Sequence, residues 1–447
     1  MEGRRGMTGS CRRDYNVRLT SRPLQREPFS VNSPAMQRDF PPAINPRSSL
    51  NRVGQGRHFL QIPGPSNVPD RVLRAIDFPT IDHRGPEFQA LALRVLEGVR
   101  PLFGTKGPVV IYPASGTAAW EAALVNTMNP GDKILMFEAG HFAGLWLKMA
   151  NRLGLRPEVI KGDWSLGVQP DLIEARLKAD TAHEIKAVCV VHNETSTGVT
   201  SDIGAVRKAL NAAGHPALLL VDTISALGSV EFKQDEWGVD VGVASSQKGL
   251  MLPPGLGFNA VSQKALAASE KATMPRAFWA WDDILEANKK GFWPSTPNTN
   301  LLYGLAEALD MFNEEGLPQV FARHKRHSMA ARAAVAAWGL ELVCQAPDLH
   351  SPVLTAVRMP VGIDGSHVDA DHLRQIALTQ SNMSLGMGLG QLAGKVFRIG
   401  HLGDFNDLSL LGALGGVEMA LSAAGVTHQP GGVQAAMAAL ASSRAST

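Results

Sequence analysis

Short, wholly apolar runs alternate with amphipathic stretches through the middle of this chain. Val109-Val-Ile-Tyr, Lys133-Ile-Leu-Met-Phe, Ala187-Val-Cys-Val-Val-His, Ala217-Leu-Leu-Leu-Val-Asp and Val239-Asp-Val-Gly-Val-Ala read as buried strands. Between them lie helical patterns such as Asp171 to Lys178 and Asp202 to Ala213. A strand that is apolar on both of its faces must be covered on both, and helices between such strands supply the cover. The pattern therefore predicts an α/β layered domain with a mostly parallel sheet, ending near residue 320. Beyond it the pattern changes. A long helical stretch (Leu317 to Trp338) precedes Leu340-Glu-Leu-Val, Leu354-Thr-Ala-Val-Arg, a helix and Lys395-Val-Phe-Arg-Ile, which predicts a smaller α+β domain. At 447 residues the chain is long enough for two such cores. The expected divisions are 1–56, an extension; 57–80, an entry segment; 81–319, the large domain; 320–430, the small domain; and 431–447, a frayed helix or tail.

The extension is set apart by charge. Residues 1–52 hold ten Arg, no Lys and only Glu2, Asp14, Glu27 and Asp39 as acids, broken by Pro23, Pro28, Pro34, Pro41, Pro42 and Pro46. A transit peptide, a disordered tail and an upstream-extended gene start with Met36 nearer the true one all look like this. A basic RNA-binding tail would be expected to show aromatic or glycine patterning, which is missing. Over the whole chain the formal charge is +2, so composition favours no nucleic-acid or acidic-membrane partner. Cys11, Cys189 and Cys344 lie far apart, with neither metal-ligand nor disulfide spacing, and imply a reducing compartment. No apolar run approaches the ~20 residues that span a bilayer. The chain ends Ala-Ser-Thr rather than in a peroxisomal Ser-Lys-Leu, and the expectation is a cytoplasmic protein that binds no metal.

Lys248 is the first residue to suggest chemistry. It follows a buried strand in Ser245-Ser-Gln-Lys-Gly. Ligands of open α/β sheets bind at strand carboxyl ends. A lysine desolvated there has a lowered pKa, and its neutral amine can condense with an aldehyde. Alone, it reads more simply as a surface lysine. Asp222 ends the strand from Ala217 and can pair with the pyridinium nitrogen of pyridoxal 5′-phosphate (PLP), or can be a turn or helix-capping aspartate. Ser115-Gly-Thr lies between a strand and a helix start. There, free N–H groups and the helix dipole attract a phosphate, although ordinary capping fits as well. Cradle, carboxylate and lysine in that order are jointly far more specific than any one alone.

The wording around these residues resembles the class V, fold-type I aminotransferases, specifically the serine/alanine–glyoxylate branch. The resemblance rests on Ile62-Pro-Gly-Pro-Ser-Asn, Ile81-Asp-His-Arg-Gly-Pro-Glu-Phe, Pro113-Ala-Ser-Gly-Thr, His192-Asn-Glu-Thr-Ser-Thr-Gly-Val, Leu219-Leu-Val-Asp, Asp235-Glu-Trp-Gly-Val-Asp, Ser246-Gln-Lys-Gly and Gly394-Lys-Val-Phe-Arg-Ile-Gly-His-Leu-Gly. It runs from about residue 58 to 425. It implies that Lys248 carries PLP and shuttles the proton, and that Asp222 holds the pyridinium. By the same likeness Ser115, Gly116 and Thr117 bind phosphate with Gln247 as an added donor, and Thr195 meets the ring hydroxyl. Phe142, where relatives often have Trp, would stack on one ring face and Ile224, where Val is common, on the other. Trp293 and Thr296 match positions that reach a neighbouring subunit's phosphate. Trp293 stands where Tyr is more frequent, so its indole N–H would have to replace a hydroxyl. The resemblance further implies a homodimer with sites at the interface, which residues 57–80 would overlie.

Arg398 lies in the apolar run Lys395-Val-Phe-Arg-Ile. A buried arginine needs a partner, which is either an internal carboxylate or, as the resemblance implies, the α-carboxylate of a substrate. His192 is equally a site residue or a core histidine. His83 and Arg84 match a motif near the site entrance with no role derivable. Cys344 reads as core, and the histidines of His324-Lys-Arg-His as a solvated helical face. Gly255-Leu-Gly-Phe-Asn-Ala and Gly388-Leu-Gly-Gln-Leu-Ala touch the dinucleotide fingerprint but follow no first strand of a βαβ unit, so NAD is not expected.

The reading that results is transamination of a small amino acid with glyoxylate. Serine is favoured as donor because Leu385-Gly-Met-Gly-Leu-Gly and the run from Lys395 to Gly403 most resemble serine–glyoxylate enzymes. Alanine and aspartate are the alternatives. A cysteine desulfurase would need a loop cysteine near the site, and none of the three fits. A PLP-fold binding protein would not need the full Lys, Asp and Arg set.

Overall fold

The computed structural model describes residues 56–361 and 368–444. The expected extension therefore lies, up to residue 55, outside the described residues.

Seven strands form the large sheet. They are β2 (Val109–Tyr112), β3 (Lys133–Glu138), β4 (Arg156–Lys161), β5 (Ile185–Val191), β8 (Leu218–Asp222), β9 (Val241–Ser245) and β10 (Gly257–Val261), in the spatial order β2-β10-β9-β8-β5-β3-β4. All but β10 run the same way, since β10 is antiparallel to both β2 and β9. The apolar runs are continuous because alternate side chains enter different cores. Val188, Val190, Leu219 and Val221 pack on one face of the sheet, and Ala187, Cys189, Leu218 and Leu220 on the other. Burying each of the larger side chains contributes roughly 1.5–3 kcal/mol. Two of the connecting helices begin where a short polar residue takes a free N–H group: Asp202 accepts from Ala205 N at 2.9 Å at the start of Ile203–Ala212, and Ser262 from Ala265 N at 3.1 Å at the start of Gln263–Ser269.

The register brings three strand ends to one edge. Val191 pairs with Asp222 and Asp222 with Val243, while Gly257 faces Ser245 on one side and Tyr112 on the other. The segments that leave β2, β8 and β9 therefore emerge side by side. Gly255-Leu-Gly, the near-fingerprint, is the turn into β10. A Cβ at Gly257 would lie 2.7 Å from the carbonyl of Ser115, so the glycine keeps β10 close to the start of the next helix.

A second sheet holds β1 (Phe59–Gln61), β11 (Glu341–Leu342), β12 (Leu354–Arg358), β13 (Met383–Met387) and β14 (Val396–Gly400), in the order β1-β13-β14-β12-β11. Its first strand comes from the entry segment: β1 pairs parallel with β13, Phe59 opposite Met383 and Gln61 opposite Leu385. The short β6 (Asn193–Glu194) and β7 (Val199–Thr200) form a hairpin after β5.

Two sequence expectations change here. The Leu317–Ala337 helix buries His324 and His327 instead of exposing them, while Lys325 remains exposed. Positions 320, 324, 327, 331 and 335 fall on one helical stripe, and the charges that flank the histidines hid it. Residues 432–444, expected as a frayed helix or tail, form a helix with Ala436 and Leu440 in the small core. Its start is held by Glu418, which accepts from Gly431 N at 2.8 Å and from the Trp338 indole at 2.9 Å.

Candidate active site

Lys248 leaves β9 into a turn, and its amine donates to the carbonyl of Pro63 at 2.9 Å. The residue is half-buried, but its amine end is enclosed. Burial pushes its pKa down to about 8, the charge of Arg398 adds to this, and Asp222 opposes it. A neutral amine is therefore available near neutral pH. A Cβ at Gly64, where φ is +108°, would fall 2.5 Å from Lys248 Cδ and Nζ, so the side chain lies directly against a bare backbone.

Asp222 is 4% exposed. Its Oδ1 accepts from Ile224 N at 2.7 Å and its Oδ2 from Trp120 Nε1 at 3.1 Å. Burial raises its pKa to about 7, which the Ile224 N–H offsets; the charge of Glu194 raises it further, and Trp120 and Lys248 lower it. A carboxylate poised this way gains from a cationic ring nitrogen beside it.

The helix Gly116–Thr127 starts at Ser115, whose side chain makes no capping bond. The ordinary reading of Ser115 thus fails, and the helix start keeps its attraction for an anion. Gly116 N donates to Ser245 Oγ at 3.1 Å, and that hydroxyl in turn donates to Gln247 Oε1, which orients the Gln247 amide. A Cβ at Gly116 would sit 2.4 Å from Ile224 Cδ1 and 3.2 Å from Ser245 Cβ. Only glycine leaves this floor open.

One cavity is lined by Ser115, Gly116, Thr117, Phe142, Thr195, Asp222, Ile224, Gln247 and Lys248, all of them sequence candidates. It is also lined by Trp120, Asn193 and Ser225, which were not singled out. Asn193 and Ser225 are tied to each other, Asn193 Nδ2 donating to Ser225 Oγ at 2.8 Å. Asn193 was legible within the quoted His192-Asn-Glu motif. Trp120 carried no signal beyond that of an apolar position in a helix.

Arg398 lies close by on β14, 7% exposed. Its Nε donates to Met387 O and its Nη1 to Thr195 O, both at 2.7 Å. Among the described residues it forms no ion pair, so the internal carboxylate partner is not there. Burial lowers its pKa to about 10, against the charge of Glu194. The outer edge of its fork, Nη2 and the second hydrogen of Nη1, remains for a carboxylate.

Glu194, another residue that sequence reasoning passed over, is 2% exposed. Its Oε2 accepts from Phe142 N at 3.1 Å and Ala143 N at 3.2 Å, and its Oε1 from Ser196 N at 3.1 Å and Ser196 Oγ at 2.6 Å. It thereby caps the helix His141–Arg152 from outside and fixes Phe142 over the cavity.

The remaining candidates lie elsewhere. Trp293 donates its indole N–H to Ile111 O at 2.9 Å and meets Phe88 edge-on, so that donor is already engaged within its own chain. This differs from the expected N–H toward a phosphate. Thr296 is exposed and does not line the cavity. His192 is a core residue: it packs on Phe232 and Trp237, and burial takes its pKa down to about 4. His83 and Arg84 are outside the cavity lining. Cys189 and Cys344 are buried free thiols.

A nucleophilic amine, a carboxylate and an anion-binding helix start thus share one cleft at a sheet's carboxyl edge, an arrangement with room and partners for an anionic aldehyde cofactor. The chain belongs to the class-V aminotransferases, whose family model matches residues 58–372. It is 51% identical to a serine–glyoxylate aminotransferase of Methylorubrum extorquens over 85% of this chain and 95% of that one. It is 46% identical to an L-aspartate–glyoxylate aminotransferase of Paracoccus denitrificans, over 84% and 94%. The crystal structure of an alanine–glyoxylate aminotransferase from Nostoc sp. matches with a TM-score of 0.76 at 30% identity, covering 84% of this chain and 98% of that one.

Proposed function

We propose that this aminotransferase holds PLP on Lys248 and moves the amino group of L-serine to glyoxylate, giving hydroxypyruvate and glycine. The observation that carries the reading is the meeting of Lys248, Asp222 and the uncapped start at Ser115–Gly116 in one cavity, with Arg398 beside it and lacking a carboxylate. The residues fit PLP at each of its ends. Gly116 leaves room that a Cβ would fill, Asp222 keeps lone pairs for a ring nitrogen, and burial makes the Lys248 amine easier to deprotonate.

When bound, PLP supplies an aldehyde that takes up the amino group and a ring that accepts the electrons of the Cα–H bond. The chain's own residues do the rest. Lys248 Nζ, once displaced by the substrate amine, would take the Cα proton and hold it for return on the other side of the amino nitrogen. Asp222 keeps the ring nitrogen protonated, and Thr195 and Gln247 hold the ring hydroxyl and phosphate regions. Phe142 and Ile224 close the two ring faces. The fork of Arg398 binds the α-carboxylate that donor and acceptor share, so one arginine serves both half-reactions. A homodimer with Trp293 and Thr296 near the partner's site, in the cytoplasm, completes the proposal. Among the described residues no helix is long and apolar enough to cross a membrane.

Serine is preferred because the relative at 51% identity is named for serine; the 46% relative supports aspartate as the second reading. Among the described residues desulfuration lacks a nucleophile, since Cys189 and Cys344 are buried and burial pushes both thiols up; Cys11 lies outside the described residues. The test is the rate of glyoxylate-dependent 2-oxo acid formation from serine, alanine and aspartate, with Lys248→Ala alongside. The expected result is serine fastest and a loss of about a thousandfold or more in Lys248→Ala. Full turnover by Lys248→Ala would overturn the reading, and a faster rate with aspartate would replace the donor.

A further inference from the structure

We infer that Trp120 is a positioning residue for Asp222: its indole N–H fixes the direction the carboxylate faces and so sets how firmly the pocket holds a protonated pyridine ring. The inference rests on Asp222 being the partner of the PLP ring nitrogen. Of the two donors on Asp222, the Ile224 N–H belongs to the backbone turn that follows β8. The other, Trp120 Nε1 at 3.1 Å, is the one side-chain donor on it among the described residues. With one oxygen held on each side, the carboxylate cannot swing, and the remaining lone pairs face the cavity.

The surroundings separate this from simple core filling. Trp120 stacks on Trp146, with ring centroids 5.9 Å apart and planes 12° from parallel. Both indoles are buried, and Trp146 Nε1 has no partner. Trp146 is thus an apolar wall, whereas the N–H of Trp120 is spent on the carboxylate of Asp222. Trp120 also stands one turn after Gly116 in the same helix, so both lie on one face about 6 Å apart along its axis. A single rigid helix therefore presents the phosphate cradle and aligns the group at the ring's far end. Trp146 stands one turn after Phe142, so the stack also ties the helix that carries the ring-covering aromatic to the helix that carries the cradle.

The chemical consequence follows from the donor. A hydrogen bond to the ionised form favours it, and without that bond burial favours the neutral acid. A neutral Asp222 leaves the ring nitrogen unprotonated and weakens the ring as an electron sink. The loss would fall on kcat and on PLP affinity, and not on the KM for glyoxylate, which depends on Arg398.

The test uses the full-length chain stripped of cofactor and titrated with PLP, followed by visible absorbance, together with kcat, KM and the thermal midpoint. Trp120→Phe keeps a ring against Trp146 and deletes the N–H; Trp120→Leu, read the same way, serves if the first does not fold. The expected result is a PLP Kd raised about tenfold or more, a similar fall in kcat and an unchanged KM for glyoxylate. Asp222→Asn weakens PLP binding further, and Trp120→Phe then adds less than about twofold in that background. Wild-type PLP affinity in Trp120→Phe, with a loss in Asp222→Asn, would overturn the inference and leave the role of Asp222 standing. Full additivity in the double variant, or the same loss from Trp146→Leu alone, would overturn it in favour of packing. Wild-type affinity in Asp222→Asn would overturn the reading of the ring-nitrogen partner and the inference with it.

Discussion

The amine of Lys248 is held by the carbonyl of Pro63, a residue 185 positions earlier in the chain, at 2.9 Å. The contact joins the turn after β9 in the large sheet to the segment that follows β1 in the small one. It is possible because Gly64, next to that carbonyl, has no side chain.

Gly64→Ala tests that contact. The new Cβ would meet Lys248 at 2.5 Å, and φ of +108° is a conformation that an L-residue reaches only with strain. The amine is expected to leave Pro63, with kcat lowered about a hundredfold and KM for glyoxylate little changed. Steady-state kinetics on the folded variant check this.

Arg398→Lys removes the fork and keeps the charge. The two carbonyls of Met387 and Thr195 lose their geometry, and the substrate carboxylate loses bidentate binding. The expected outcome is kcat/KM lowered roughly 10- to 100-fold for donor and glyoxylate alike. A loss confined to the donor would show that the two carboxylates bind at different places.

Glu194→Gln tests the external cap on the Phe142 helix. An amide nitrogen would face either the pair of helix N–H groups or the pair of Ser196 donors, so two hydrogen bonds are lost and two donors are left buried. The expected cost is about 2–4 kcal/mol in urea denaturation, with weaker PLP binding as Phe142 loosens.

Acid should destabilise the chain well above the carboxylate range. Burial drives His324 down to about 3, His327 and His192 to about 4, and His401 well below its ordinary value, with Arg323, Arg326 and Arg332 nearby adding to the effect at the first, second and last of these. These groups stay neutral in the folded chain but take up protons near pH 6.5 once unfolded. The unfolded state then binds more protons, so stability is lost as pH falls below about 6.5, by roughly 1 kcal/mol per pH unit for each histidine. Asp222, raised to about 7, acts in the opposite sense as a single group. Asp407, held well below the usual range by Arg326 and then His327, titrates below this window. Urea midpoints between pH 7 and 5 check the slope, and His401→Asn should flatten it.

Five strands of the large sheet were legible because they are apolar on both faces, and so were nine cavity residues, because each sits at the end of such a strand or in a motif beside one; β4, a half-exposed edge strand with charged ends, was not read. β10 was not read as a strand: Gly255-Leu-Gly-Phe-Asn looks like a loop until Gly257 is seen passing beneath Ser115. Trp120, Glu194 and the buried His324 and His327 escaped for a shared reason. Their roles lie in contacts with distant residues, Asp222, Phe142, Gly403 and Asp407, and local spacing says nothing of those. The indole of Trp293 failed in the converse way, since a donor predicted to point outward found a backbone carbonyl of its own chain.

The parallel pairing of β1 with β13 sets an order of events during translation. Gly116, Asp222 and Lys248 leave the ribosome early, and β1 earlier still, but β1 has no neighbour until residues 383–385 are made. At about 5–20 residues per second, that interval is some tens of seconds. Through it the nascent chain already carries its reactive lysine while the strand that delivers Pro63 is still unpaired. The clasp on the amine is therefore fitted last, and its formation marks a chain whose C-terminal sheet has been synthesised.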